Sequence, residues 1–201
     1  MKPRDYIQRF CANPAIEIRP YLQKPTRSEG NLYASNGHIL IVTEDDEAVI
    51  DAETEAMDLI IASRTIVADA LNAFPHMTPL RIELPPAEPC ESCNGIGREK
   101  DCPDCDGEGC IEGQCGNCPT CGGAGELAAE DGDRDCWACK GLKVKLTQAI
   151  PYGGSHYARR YLALLLELPG IRFTANPETP ETGCAYFRFD GGYGALMPCR
   201  P

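Results

Sequence analysis

The chain has 201 residues, of which 43% are hydrophobic and 24% charged, with a formal net charge of −11 and thirteen cysteines. That length allows one good core plus an appended module, and the composition is that of an ordinary globular protein. No apolar stretch approaches the roughly 20 residues of a membrane span. The first thirty residues carry Lys2, Arg4, Asp5, Arg9, Glu17 and Arg19 without an apolar run, so no signal peptide is expected. Cysteines in such a chain are expected to be metal-bound thiolates in a reducing cytoplasm rather than a disulfide framework.

Residues 3–12 place Tyr6, Ile7, Phe10 and Cys11 at helical spacing. Two strand-like runs follow, 15–22 and 31–43, the second broken at Ser35-Asn36-Gly37, where Asn-Gly signals a hairpin turn. Residues 45–56 are acidic and read as a surface connection. The run 57–62 (MDLIIA) reads as a short apolar strand, with Ser63 capping a helix from about Arg64 to Phe74. Residues 79–84 (PLRIEL) alternate like a strand and end at Pro85-Pro86, which mark a boundary.

From Cys90 to Gly141 the pattern Cys-x-x-Cys-x-Gly-x-Gly occurs three times and a variant once, starting at Cys90, Cys102, Cys118 and Cys136. Two intervening residues let both sulfurs reach one tetrahedral ion, about 2.3 Å from each. The following glycines supply the positive φ of a tight knuckle. Four pairs give eight thiolates, enough for two zinc ions per chain. Cys115 also makes a Cys-x-x-Cys with Cys118, which leaves the register of the third pair and the roles of Cys110 and Cys115 open. The block holds twelve Asp or Glu against four Arg or Lys, a net of −8. Such a surface repels phosphates, so direct nucleic-acid binding by this module is not expected.

Beyond the block, residues 142–150 alternate like a strand, Pro151 to Gly154 form a turn, and Ser155 caps a helix over 156–168. Strands are expected over 170–174, 185–189 and 193–197. Strands and helices on both sides of the cysteines predict an α+β body, residues 1–86 and 142–201, with an inserted module at 87–141.

The repeated cysteine motif resembles the cysteine-rich domain of DnaJ-type co-chaperones, over about a quarter of the chain. The resemblance implies that the first and fourth repeats share one zinc (Cys90, Cys93, Cys136, Cys139) and the second and third another (Cys102, Cys105, Cys118, Cys121). Lys143 stands where that pattern has a second glycine, and no His-Pro-Asp signature occurs. Three body segments resemble the bacterial sliding clamp: residues 33–40 (YASNGHIL), 58–74, and 155–200 ending in Met197-Pro198-Cys199-Arg200. That resemblance implies a peptide-binding pocket built from Ser35, Gly37, His38 and Leu40 on one edge and Met197, Pro198, Cys199 and Arg200 on the other. Ile39 and Cys199 depart from the clamp motifs, and a clamp protomer is nearly twice as long.

His38, His76 and His156 lie in no metalloprotease or triad pattern, and no phosphate loop occurs, so no catalysis is expected. The leading expectation is a non-enzymatic zinc-binding factor with protein partners, acting in DNA replication or another nucleic-acid-processing complex. Two others stand beside it. One is an acidic nucleic-acid mimic, encoded by a virus or mobile element, that inhibits a DNA- or RNA-binding complex. The other is a thiol redox or chaperone-like protein using its Cys-x-x-Cys pairs.

Overall fold

The computed structural model describes residues 2, 5–14, 17–44, 53–54, 57–111, 114–115, 118–176 and 183–199, with the backbone alone at 53–54, 57–63 and 114–115. The chain divides into two compact units: Met1–Leu84 with Ala149–Pro201, and Pro85–Gln148. Both helices and sheets are present, a mixed α+β fold.

In chain order the elements are α1 (Pro20–Gln23), β1 (Thr26–Ser28), β2 (Asn31–Ser35), β3 (Ile39–Glu44), β4 (Glu53–Thr54), α2 (Met57–Ala73) and β5 (Thr78–Pro79). The second unit contributes β6 (Arg98–Asp101), β7 (Cys110–Ile111), β8 (Gln114–Cys115), β9 (Glu126–Ala128) and β10 (Arg134–Asp135). The first unit resumes with β11 (Ala149–Tyr152), β12 (Ser155–Ala158), α3 (Arg159–Leu166), β13 (Arg172–Thr174), β14 (Ala185–Phe189) and β15 (Gly192–Leu196).

The body is an eight-stranded sheet in the order β4-β1-β2-β3-β15-β14-β13-β5. Its central strand is β3, whose sequence Ile-Leu-Ile-Val-Thr is buried throughout. A strand covered on both faces needs a continuous apolar run, and the β-branched residues suit the pleat. Pairing of β3 with β15, Leu40 opposite Ala195, joins the strands that precede the cysteine block to those that follow it.

Alternation sorts the two faces. One face, with Ile39, Ile41, Phe187 and Leu196, packs on Ile7 and Phe10 and on Leu162 and Leu165 of α3. The other, with Leu40, Val42, Tyr186 and Ala195, packs on Ile66, Val67 and Ala70 of α2. Gly194 is required where β15 meets both neighbours. A Cβ there would lie 2.0 Å from the Leu40 carbonyl oxygen and 2.5 Å from Phe187 Cζ.

Several expectations need correction. Residues 57–62 belong to α2 and not to a strand, and Ser63 falls inside the helix. A short apolar run has no period of its own, and the helix formers after it extend the helix back through it. Of residues 15–22, positions 15 and 16 lie outside the described residues, and Pro20 opens a one-turn helix because its fixed φ suits a first helical position. Residues 3–4 also lie outside, and the amino-terminal helix reduces to a 3-10 turn, Ile7–Phe10.

The expected helix over 156–168 is shortened to α3, because residues 155–158 pair with β11 in a hairpin instead. Gly153 and Gly154 carry φ of 60° and 85°, the paired positive values that a two-residue hairpin loop demands. Ser155 is therefore a buried strand residue and not a cap. Of the expected strand 79–84 only Pro79 enters the sheet, paired together with Thr78 as β5. Within 142–150, Val144 makes an isolated bridge to Pro89 before β11 begins. The expected acidic connection at 45–56 lies outside the described residues, apart from β4, which runs parallel to β1.

The second unit is closed by a polar stem at its own ends. Gln148, buried, donates from Nε2 to the Pro86 carbonyl (3.1 Å) and accepts the Glu88 N–H at Oε1 (3.1 Å). The Lys145 N–H reaches the Glu88 carbonyl at 2.9 Å.

Gly194→Ala is expected to lower the body's unfolding free energy by about 3 kcal/mol, because strand and ring must both move. The denaturant midpoint checks this, with the surface change Ile18→Ala as a near-neutral control.

Candidate metal centres

Each cysteine pair sits in a knuckle whose backbone repeats residue for residue. The position after the second cysteine has positive φ in the first, second and fourth knuckles (Asn94 50°, Asp106 49°, Lys140 52°) and in the third (Gly122 63°). The next position does too (Gly95, Gly107, Gly123, Gly141), as does the one two further on: Gly97 85°, Gly109 68°, Gly125 80° and Lys143 65°. Asn and Asp tolerate the left-handed region, whereas lysine there costs about 1 kcal/mol. The missing glycine of the fourth repeat thus leaves the knuckle's shape unchanged and adds strain.

That shape aims backbone donors at sulfur. The Gly97, Gly109 and Gly125 N–H groups donate to Cys93, Cys105 and Cys121 Sγ, each at 3.2 Å. The N–H of each knuckle's first cysteine then crosses to the carbonyl of the last positive-φ residue of a partner knuckle. Cys90 bonds Lys143 (2.9 Å), Cys136 bonds Gly97 (2.9 Å), Cys102 bonds Gly125 (2.8 Å) and Cys118 bonds Gly109 (3.4 Å). These reciprocal bonds pair the first knuckle with the fourth and the second with the third. The approach is so close that a Cβ on Gly109 would sit 2.4 Å from the Gly123 carbonyl oxygen.

The result is two sulfur tetrads, Cys90 with Cys93, Cys136 and Cys139, and Cys102 with Cys105, Cys118 and Cys121. All four sulfurs of a tetrad lie within 4.8 Å of one another. Cross-knuckle separations are 4.0 Å (Cys90–Cys136), 3.7 Å (Cys93–Cys139), 3.7 Å (Cys102–Cys118) and 3.8 Å (Cys105–Cys121). A tetrahedron with metal–sulfur bonds of about 2.3 Å has an edge of about 3.8 Å. Each tetrad can therefore take one tetrahedral ion. Burial pushes the Cys102 and Cys136 thiols up to about 12, so a cation must displace protons to enter, and acid opposes it.

The knuckles are held on the sheet β10-β6-β9. Arg134, on β10, reaches Asp101 at 2.6 Å and Glu126 at 3.3 Å. Glu99 is buried, lies 3.7 Å from Arg134 Nε, and accepts the Trp137 backbone N–H at 3.2 Å. The fourth knuckle is thereby fixed while Trp137 remains 60% exposed, as does Leu142 later in the same stretch of chain. Glu99 looks in sequence like any other acid of the block. Its only signal is an inward position in the alternating Arg-Glu-Lys-Asp strand.

Cys110 and Cys115 join neither tetrad. They oppose each other in the β7–β8 register, and Cys110 is disulfide-bonded. The role of Cys110, open in the sequence, is thereby assigned, since a hairpin register can place one cysteine opposite another. In the body, burial pushes Cys11 up to about 12 and raises Cys184 and Cys199, which makes all three poor nucleophiles.

The two edges of the expected peptide pocket are adjacent. The Met197 N–H donates to the His38 carbonyl at 2.8 Å, and the Gly37 N–H to Ser35 Oγ at 3.1 Å. Met197 and His38 are exposed, and Pro198 and Cys199 half-buried. Leu40 packs inward with Leu22 and Val42, which removes it from a ligand-facing wall. Arg200 lies outside the described residues.

No family model matches this chain, nor does any curated protein or solved structure. Among the described residues no helix is long and apolar enough to cross a membrane.

Elemental analysis is expected to find about two tightly held metal ions per chain, falling to about one in Cys93→Ser. Loading should release protons and weaken as pH falls, read by titration in weakly buffered solution. Lys143→Gly should relieve the left-handed strain and slow metal loss to a chelator, by about 1 kcal/mol.

Proposed function

We propose that this chain is a zinc-binding protein-interaction factor that catalyses no reaction. The observation carrying the reading is the pair of four-cysteine tetrads at tetrahedral spacing. Four protein ligands fill a zinc ion's coordination and leave no position for water, so the ions hold structure instead of activating a substrate. Thiolate donors in a tetrahedron select zinc among abundant divalent ions, with iron as the competing occupant.

What the ions hold in place is a surface. Trp137 and Leu142 are large, exposed apolar side chains on the fourth knuckle, whose backbone the metal site and Glu99 fix. Rigid aromatic anchors lose little freedom on docking, which is why they dominate protein interfaces. The surrounding acidity favours a partner with basic groups around an apolar contact. The likeness of the repeats to a DnaJ-type module, which contacts polypeptides in its own family, supports the same reading. The clamp-like segments of the body suggest DNA replication or another nucleic-acid-processing complex as the setting.

Affinity capture from the native host with the zinc-loaded chain is expected to retain a discrete protein that Trp137→Ala loses, while zinc content stays at about two. Since Trp137 is the single tryptophan, its fluorescence should shift on addition of that protein. Equal capture by the Trp137→Ala and Leu142→Ala variants would remove the docking role. Zinc-dependent turnover of any thiol substrate would overturn the non-enzymatic reading.

A further inference from the structure

The body carries a second feature, independent of the metal unit. Across four neighbouring strands one row of the sheet reads Arg172, Arg188, Tyr193, Val42, in direct register. This row lies on the face that α2 covers. The helix ends there, at Ala73, and the chain leaves through a 3-10 turn beginning at Phe74. The Phe74 ring meets Tyr193 edge-on at 5.6 Å, and Arg188 lies over Phe74 at 5.7 Å. Beyond this point a cavity of about 640 Å³ opens over the row, lined by both arginines, both rings, Glu44 and Asp190.

Two arginines directly opposite on adjacent strands repel each other, and sheets avoid that pairing unless something anionic joins it. Neither has a carboxylate within ion-pair distance among the described residues. Arg172 spends Nε and Nη2 on the Met77 carbonyl, at 3.1 and 2.8 Å. Those bonds fix the plane of its guanidinium, leave its charge uncompensated and leave Nη1 free to donate. Arg188 is exposed and, among the described residues, lies against the Phe74 ring.

The geometry points to a binding site for a nucleoside monophosphate in this cavity. The Arg188 guanidinium fork, with the free Nη1 of Arg172 in the same cavity, suits the oxygens of a phosphate better than a lysine would. The Phe74 and Tyr193 rings beside them offer apolar contact for a base. Glu44 and Asp190 can accept hydrogen bonds from ribose hydroxyls. The volume falls in the range of about 300–1,000 Å³ typical of small-molecule sites.

Calorimetry on the full zinc-loaded chain tests this with adenosine monophosphate, adenosine and inorganic phosphate as separate probes. The monophosphate is expected to bind saturably, with affinity that falls as salt rises. Arg188→Gln should weaken it at least about tenfold at unchanged thermal midpoint, since that side chain is exposed and makes no ion pair. Tyr193→Leu serves as a second variant acting through the base. Absence of saturable binding through the millimolar range overturns the site. So does equal binding by Arg188→Gln. Phosphate binding as tightly as the monophosphate overturns the assignment of the aromatic contact. None of these outcomes depends on zinc content or on capture of a protein partner.

Discussion

The body depends on one pairing, that of β3 with β15. Strands β1 to β4, before the cysteine block, join the strands after it because Ile39 to Thr43 zip against Leu196 to Gly192, while β5 joins them separately through β13. The contact tolerates nothing larger than hydrogen at Gly194, where the Leu40 carbonyl and the Phe187 ring close in from two sides. Both hydrophobic layers are built outward from these strands. The helix α2 lies over Leu40, Val42 and Ala195, and α3 lies behind Ile39, Ile41 and Leu196. Any loss at this seam is felt on both faces at once.

The metal unit follows a different logic. It has almost no hydrophobic core besides the cysteines themselves, and its regular structure is a set of very short strands. Its order comes from left-handed knuckles and the reciprocal backbone bonds between them, around two tetrads spaced to take a tetrahedral ion. Small domains of this kind draw folding free energy from the metal rather than from buried area.

The eight tetrad cysteines were legible because the chemistry is local: two residues between thiols and glycine afterwards suffice. Choosing Cys118 over Cys115 as the start of the third pair needed the β7–β8 register, which sequence spacing does not encode. Residues 57–62 misread as strand because a six-residue apolar run looks alike in either state, and its fate is decided by the helix formers downstream. Residues 155–158 misread as helix because the two positive-φ glycines before them favour a hairpin over a cap. The Arg172–Arg188 row was invisible for a more general reason. Its members are sixteen positions apart and become neighbours only through strand register, which tertiary packing sets.

The Gln148 stem has a consequence for how the chain is joined up. With Pro86, Glu88, Lys145 and Gln148 bonded together, the whole Pro85–Gln148 excursion begins and ends at one place. To the polymer that must close β3 onto β15, a folded excursion then counts as a turn of a few residues. Loop-closure entropy grows with the logarithm of length, and the stretches on either side of the excursion remain in the loop, so the shortening is worth about 0.5 kcal/mol. Metal taken up at the cages thereby becomes an entropic aid to a sheet that contains none of its ligands.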